Sequence, residues 1–259
     1  MNVLEFQQKC DRGEKLTVVT AYDYSMALAV DAAGVDAILV GDSLSMTMLG
    51  RPNTLSASMD EMIHHTKAVA KGVKQALLIG DMPFLSYQLG LEETLDNAGA
   101  FLAEAGAQAV KLEWFPNAPE VTSFLVENGI PVMGHVGFTP QHVNQMGGYH
   151  QQGKEKASAS RLLQQAKALE RAGAFAVVLE LIPSDIARKI TQSLKIPTIG
   201  IGAGPHCDGQ VQVLHDMLGL LPDFHPKHAK AYLQLHEAIK NTVRQYVSEV
   251  RTGKFPPAH

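Results

Sequence analysis

Cysteine is scarce: Cys10 and Cys207 are the two in 259 residues. They stand far apart, in neither a Cys-x-x-Cys nor a Cys/His ligand spacing, which excludes a disulfide framework and a zinc site and fits a reducing cytosol. Basic excess is also lacking. A net charge of −4 with 19% charged residues is not the footprint of a nucleic-acid binder, so the expected partners are small-molecule substrates, with no nucleic acid. No apolar run is long enough to span a bilayer. The first sixteen residues mix Glu5, Gln7, Gln8, Lys9 and Asp11 with few apolar ones, unlike a secretory signal. The expectation is a cytoplasmic protein with no membrane attachment. Among the histidines, His64, His65, His206, His215, His225 and His228 show no His-Glu-x-x-His spacing and read as surface or structural residues.

What is present is a rhythm. Apolar runs alternate with helical patterns: strands are predicted at Leu16–Ala21, Ala37–Val40, Ala76–Gly80, Ala109–Glu113, Val132–His135, Phe175–Leu181, Thr198–Ile201 and, shorter, Val211–His215. Ala33-Gly34, Ala105-Gly106-Ala107 and Ala172-Gly173-Ala174 separate a helical pattern from the next run, as a glycine at a helix carboxyl cap does. Ser58 and Glu61 have capping-box spacing, and Thr139-Pro140 has the look of a cap followed by proline in the first helical position. Gln141–Ala157 loses the pattern and reads as a functional or merely mobile loop. Lys227–Val250 is a long amphipathic helix. Eight such alternations in a chain of this length predict an α/β fold, a (β/α)8 TIM barrel in one domain, with an amino-terminal extension over about 1–15.

Acids fall where these strands end. Asp42 and Ser43 follow Ala37–Val40 and Gly41, Asp81 follows Gly80, and Lys111 and Glu113 lie two apart in one strand and so share a face. Barrels keep their ligands at the carboxyl ends of strands. Each group has a plainer reading: Asp42 and Asp81 as helix caps, Lys111 and Glu113 as a self-neutralising buried pair. Taken together, three neighbouring carboxylates repel one another unless a cation joins them, and an all-oxygen set favours Mg²⁺. Glu180, flanked by Val177–Leu179 and Leu181–Ile182, suits a general base with a pKa raised by burial; its plainer reading is a salt bridge to a neighbouring strand. His135 is a second base candidate. Gly200-Ile201-Gly202-Ala203-Gly204 lacks the dinucleotide fingerprint and reads as room for a ligand to approach backbone.

Several ordered stretches carry a resemblance across nearly the whole chain. They are Thr20-Ala21-Tyr22-Asp23, Val40-Gly41-Asp42-Ser43-Leu44, Gly80-Asp81-Met82-Pro83-Phe84, Val110-Lys111-Leu112-Glu113, Gly134-His135-Val136-Gly137-Phe138-Thr139-Pro140-Gln141, Gly147-Gly148-Tyr149 and Ile199-Gly200-Ile201-Gly202-Ala203-Gly204. The chain resembles the ketopantoate hydroxymethyltransferase family of pantothenate synthesis. The resemblance implies Mg²⁺ at Asp42, Asp81 and Glu113, keto-acid contacts at Asp42, Ser43, Asp81 and Lys111, and a proton acceptor at Glu180. It also implies 5,10-methylenetetrahydrofolate as co-substrate and a homo-oligomer, often a homodecamer. Ser45 stands where the family usually has glycine, and His228-Ala229 where it usually has Phe-Val. The rival readings are a Mg²⁺-dependent barrel enzyme of the phosphoenolpyruvate mutase/isocitrate lyase type and a non-catalytic metabolite-binding barrel. The first usually carries a reactive loop cysteine, for which neither cysteine is well placed.

Overall fold

Aliphatic runs too short and too apolar to be amphipathic helices pair side by side and bury both faces, and the sequence punctuates them with caps. The computed structural model describes residues 1–148, 150–223 and 226–257; Tyr149 of the Gly-Gly-Tyr stretch and His225 lie outside the described residues. In chain order the elements are α1 (Val3–Asp11), β1 (Leu16–Thr20), α2 (Tyr24–Ala32), β2 (Ala37–Val40), α3 (Leu44–Thr47), α4 (Met59–Ala70) and β3 (Leu77–Asp81). Then come α5 (Leu91–Ala103), β4 (Ala109–Glu113), α6 (Ala118–Glu127), β5 (Val132–Gly137), a 3₁₀ turn (Pro140–His142), α7 (Val143–Met146) and α8 (Lys156–Arg171). The chain continues through β6 (Ala176–Glu180), α9 (Ser184–Ser193), β7 (Thr198–Ile201), β8 (Gly209–Gln212), α10 (Leu214–Leu218) and α11 (Leu235–Arg251).

The eight strands are all parallel and close in sequence order, β8 returning to β1. This is the (β/α)8 barrel read from the sequence. Gly34, Gly106 and Gly173 take φ of +82°, +78° and +92°, the left-handed conformation that ends a helix and turns the chain into the next strand. Ser58 and Glu61 form the capping box of α4, the Glu61 amide N–H donating to the Ser58 hydroxyl oxygen at 3.2 Å and the Glu61 carboxylate accepting from the Ser58 amide at 3.0 Å. Asn2 and Glu5 do the same for α1.

The contacts divide the chain into two compact units, Met1–Gln212 and Val213–His259. In the first, the barrel interior is filled by Leu16, Val18, Ala37, Leu39, Leu77, Ile79, Ala109, Met133, Ala176, Val178, Ile199 and Val211. Residues 1–15 are not a loose extension. α1 inserts Phe6, fully buried, edge-on against Phe175 at 6.1 Å between ring centres. Gln7 Nε2 donates to the Phe175 carbonyl at 3.1 Å, and Lys9 pairs with Asp36 ahead of β2.

Two boundaries differ from the sequence reading for identifiable reasons. β8 runs over Gly209–Gln212 rather than Val211–His215, because Gly209 to Gln212 pair with Leu16 to Val19 while Leu214 and His215 begin α10. In the second unit the last helix starts at Leu235 rather than Lys227. The backbone before it is engaged elsewhere: Tyr232 N–H donates to Met217 O at 2.8 Å and His236 N–H to Gly219 O at 3.2 Å. No residue of α11 is buried, and its stripe of Ile239, Val243, Tyr246 and Val250 is exposed.

Candidate active site

Every polar group singled out at a strand end lies at the carboxyl end of the barrel, as parallel pairing requires. The register sets Asp81 beside Lys111, Glu113 beside His135 and Gly137 beside Glu180 on adjacent strands. Asp42 and Ser43 follow β2. Asp42 caps no helix through its side chain; its amide instead donates to Asp81 Oδ2 at 3.1 Å. Ser43 precedes α3 without a side-chain capping bond, and its hydroxyl lies 2.8 Å from the Tyr22 hydroxyl. Gly41 makes this fold-back possible, since a Cβ there would stand 2.8 Å from Ser43 Oγ.

Lys111 is partnered across the strands. Its Nζ lies 2.7 Å from Asp81 Oδ1, with both side chains almost wholly buried, so the pair is Lys111–Asp81 rather than the Lys111–Glu113 pair that the spacing also allowed. Glu113 is fully buried. Its Oε2 accepts the Gln141 amide N–H at 3.0 Å and lies 3.5 Å from His142 Nδ1, while Oε1 lies 3.7 Å from His135 Nδ1 and has no hydrogen-bond partner. His135 Nε2 is 3.2 Å from Glu180 Oε2. Glu180 is the most accessible of these carboxylates, at 13% side-chain exposure against 2% for Asp81 and 1% for Glu113.

Burial dominates the electrostatics. It pushes the Asp81 carboxyl well above the usual range, with Lys111 offsetting part of the effect and Asp42 adding to it. Glu113 is raised for the same first reason, only partly relieved by His142 and His135. Burial works against the Lys111 ammonium, yet Asp81, Glu113 and Asp42 together hold its pKa above the ordinary lysine value. His135 is lowered to about 3, by burial first and by Lys111 second, so its imidazole is neutral at physiological pH. Two carboxyls that resist ionisation beside a third, Asp42, and one cation form a cluster that protons or a metal ion can neutralise.

The donor chemistry bears on which ion. Among the described residues no three His, Cys, Asp or Glu side chains form a group able to hold an ion by themselves. Glu113 Oε1, buried without a hydrogen-bond partner, and the neighbouring carboxylates fit a hard cation that takes one or two protein oxygens and completes its shell with water and substrate.

Three participants escaped the sequence reading. Gln141 and His142 reach the acids, and Tyr87 reaches Gln141 and the Glu113 backbone N–H, through side chains that carry no motif of their own. The glycine-rich stretch after β7 differs from expectation: a Cβ on Gly200 would meet Cys207 Sγ at 3.0 Å, and one on Gly204 would meet Ser184 Oγ at 2.4 Å. The protein itself fills the space beside these two glycines. Ser45 has a local role, its buried hydroxyl donating to Asn53 O at 2.8 Å across the loop that follows α3. Its helical backbone needs no glycine.

A closed parallel barrel with carboxylates, a paired lysine and a neutral histidine at the strand ends defines an enzyme of the (β/α)8-barrel class. Residues 1–258 match the model of the ketopantoate hydroxymethyltransferase family. The 3-methyl-2-oxobutanoate hydroxymethyltransferase of Clostridium botulinum (strain 657 / Type Ba4) is 53% identical over 254 residues, covering 98% of this chain and 92% of that protein. That of Chloroflexus aurantiacus (strain ATCC 29366 / DSM 635 / J-10-fl) is 54% identical over 260 residues, 100% of this chain and 92% of that protein. The chain belongs to the ketopantoate hydroxymethyltransferase family. Among solved structures, a phosphonopyruvate hydrolase complex with oxalate and Mg²⁺ aligns with a TM-score of 0.63 at 16% identity, over 98% of this chain and 88% of that one. A 2,3-dimethylmalate lyase, a member of the phosphoenolpyruvate mutase/isocitrate lyase superfamily, gives 0.63 at 15%, over 99% and 90%. At such identities these two share the fold, and the runner-up reading survives as architecture alone.

Proposed function

We propose that this enzyme transfers a hydroxymethyl group from 5,10-methylenetetrahydrofolate to 3-methyl-2-oxobutanoate, giving 2-dehydropantoate, with Mg²⁺ at the carboxylate cluster. The relatives' names supply the keto acid and the transferred group. The observation that carries the chemistry is the charge balance: Asp42, Asp81 and Glu113 surround one ammonium, Lys111, so full ionisation leaves two negative charges uncompensated, a deficit that a divalent cation makes good. Of Asp42, Asp81 and Glu113, one or two would hold it directly, with water and substrate completing its shell. When bound, the ion supplies positive charge beside the keto oxygen on which negative charge develops.

The protein's own groups do the rest. Ser43, its hydroxyl set by Tyr22, donates to the substrate carboxylate, while Lys111 balances the charge of substrate and enolate. Glu180, more accessible than the other acids, accepts the proton from C3. The C3 carbanion forms the new C–C bond to the one-carbon unit as that carbon's bonds to the two folate nitrogens break, water supplies the hydroxyl oxygen, and tetrahydrofolate leaves. His135, with a pKa of about 3, is a weak proton acceptor and is placed to orient Glu180. The reading includes a homo-oligomer, a homodecamer by family resemblance, in a cytoplasmic setting.

Exchange separates proton removal from transfer. In D₂O with Mg²⁺ and 3-methyl-2-oxobutanoate, without folate, the wild type should wash deuterium into C3. Glu180→Gln should slow this by roughly 10² to 10⁴, with keto-acid affinity by calorimetry unchanged. Exchange that persists in Glu180→Gln and vanishes in His135→Ala would transfer the base role to the histidine.

A further inference from the structure

Pro140 locks the backbone at the start of the 3₁₀ turn after β5 and turns the next residue, Gln141, inward, where it is 2% exposed. A buried amide must satisfy two donor hydrogens and an acceptor oxygen. Gln141 satisfies all of them at the acid cluster. Nε2 donates to Asp42 Oδ2 at 2.9 Å and to Met82 O at 2.9 Å, and Oε1 accepts from the fully buried Tyr87 hydroxyl. Its backbone N–H donates to Glu113 Oε2 at 3.0 Å.

The orientation of that amide follows from chemistry. A backbone carbonyl can only accept, so the nitrogen must face Met82 O and the oxygen must face Tyr87. The tyrosine hydroxyl, having donated to Gln141, accepts the Glu113 N–H at 3.3 Å. One residue therefore touches two of the three acids through uncharged groups, its side-chain amide fixing an oxygen of Asp42 and its backbone N–H an oxygen of Glu113, without neutralising either. A lysine or arginine in the same place would hold the acids equally well and remove the negative charge a cation needs.

We propose that Gln141 is a positioning residue, held in a single orientation by Tyr87, that sets Asp42 and Glu113 for binding a divalent cation. The inference rests on the metal reading given above. Hydrogen-bonded partners of metal-binding carboxylates typically change metal affinity by about 10- to 100-fold when removed. The chain distance explains the arrangement's obscurity: Tyr87, Glu113 and Gln141 come from three different strand-to-helix segments and meet when the barrel closes.

The test uses the full-length protein and Mn²⁺, with binding read by calorimetry and by the electron paramagnetic resonance spectrum of the bound ion. Gln141→Met keeps the volume and deletes the side-chain hydrogen bonds; its Mn²⁺ affinity should fall by about 10- to 100-fold and the spectrum should change. Tyr87→Phe deletes one hydroxyl and should weaken binding by about 10-fold, the lower end of the same range. Asp36→Asn, which loses a buried bond at the amino end of β2, serves as the destabilised control and should bind Mn²⁺ like the wild type. If wild type fails to bind Mn²⁺, the metal reading falls and this inference with it. If wild type binds, Asp42→Ala does not, and Gln141→Met binds as tightly as wild type, the role of Gln141 is overturned while the metal reading stands. An equal loss in Gln141→Met and Asp36→Asn would reduce Gln141 to a merely structural part and overturn the proposal too.

Discussion

Gly80 gives the barrel a sharp steric test. It sits in β3 immediately before Asp81, and a Cβ built on it would lie 2.2 Å from Phe101 Cδ1, 2.7 Å from Cε1 and 3.0 Å from Cγ. Carbon atoms pack at about 3.5–4.0 Å, so the ring of Phe101, fully buried on α5, has to move bodily by more than an ångström. Aromatic rings do not shorten, and the cost of such overpacking is typically about 1–3 kcal/mol. For a chain of this size about 2–4 °C of Tm accompanies each kcal/mol, so Gly80→Ala should melt roughly 2 to 12 °C below wild type in a scanning experiment. Phe101→Leu, destabilising alone through lost packing, should recover at least half of that deficit when added to Gly80→Ala, because the two changes share one contact. A Gly80→Ala protein melting within a degree of wild type would refute the reasoning, as would strictly additive effects of the two substitutions.

Asp36 accepts from the Thr17 amide at 2.7 Å and the Thr17 hydroxyl at 2.8 Å and pairs with Lys9; burial raises its pKa, but these partners lower it further, below the ordinary value. Its contribution is therefore complete above the unfolded value of about 3.9 and is lost as pH falls through the folded value. Asp36→Asn should cost about 1–3 kcal/mol at pH 7, and its gap from wild type in urea midpoint should close as pH drops below about 4; a gap unchanged down to pH 3 would contradict this. The exposed apolar stripe on α11 predicts self-association, with sedimentation showing assemblies at micromolar concentration and Val243→Glu shifting them toward smaller species. A monomer-only profile for wild type would remove that expectation.

Strand positions were legible because burial on both faces leaves an unbroken aliphatic run, as in Ala37–Val40 and Ala109–Glu113, which have the predicted bounds. The grouping of Asp42, Asp81, Lys111 and Glu113 followed from strand ends, since parallel strands in a closed ring bring all such ends to one side. Pairing was less legible. Period-two spacing puts Lys111 and Glu113 on one face but says nothing of the neighbouring strand, and it is Asp81, fixed by register, that takes the lysine. Gln141 and Tyr87 were hidden for a different reason: neutral side chains carry no charge anomaly, and their importance lies in partners supplied by closure. The late start of α11 was invisible because the periodicity before Leu235 is compatible with a helix, whereas the backbone there bonds to the end of α10.

The seating of α1 has a consequence for the order in which the chain is made. Phe6 and Gln7 leave the ribosome well ahead of their partner Phe175, which emerges on the order of ten to thirty seconds later at ordinary synthesis rates of about 5–20 residues per second. Through that interval the helix has no barrel to plug. β1 waits longer still for its second neighbour, because Gly209–Gln212 are needed to close the ring. A nascent chain arrested before residue 209 thus presents an unclosed sheet with a bare edge at β1, the kind of surface that recruits a chaperone or another unfinished copy.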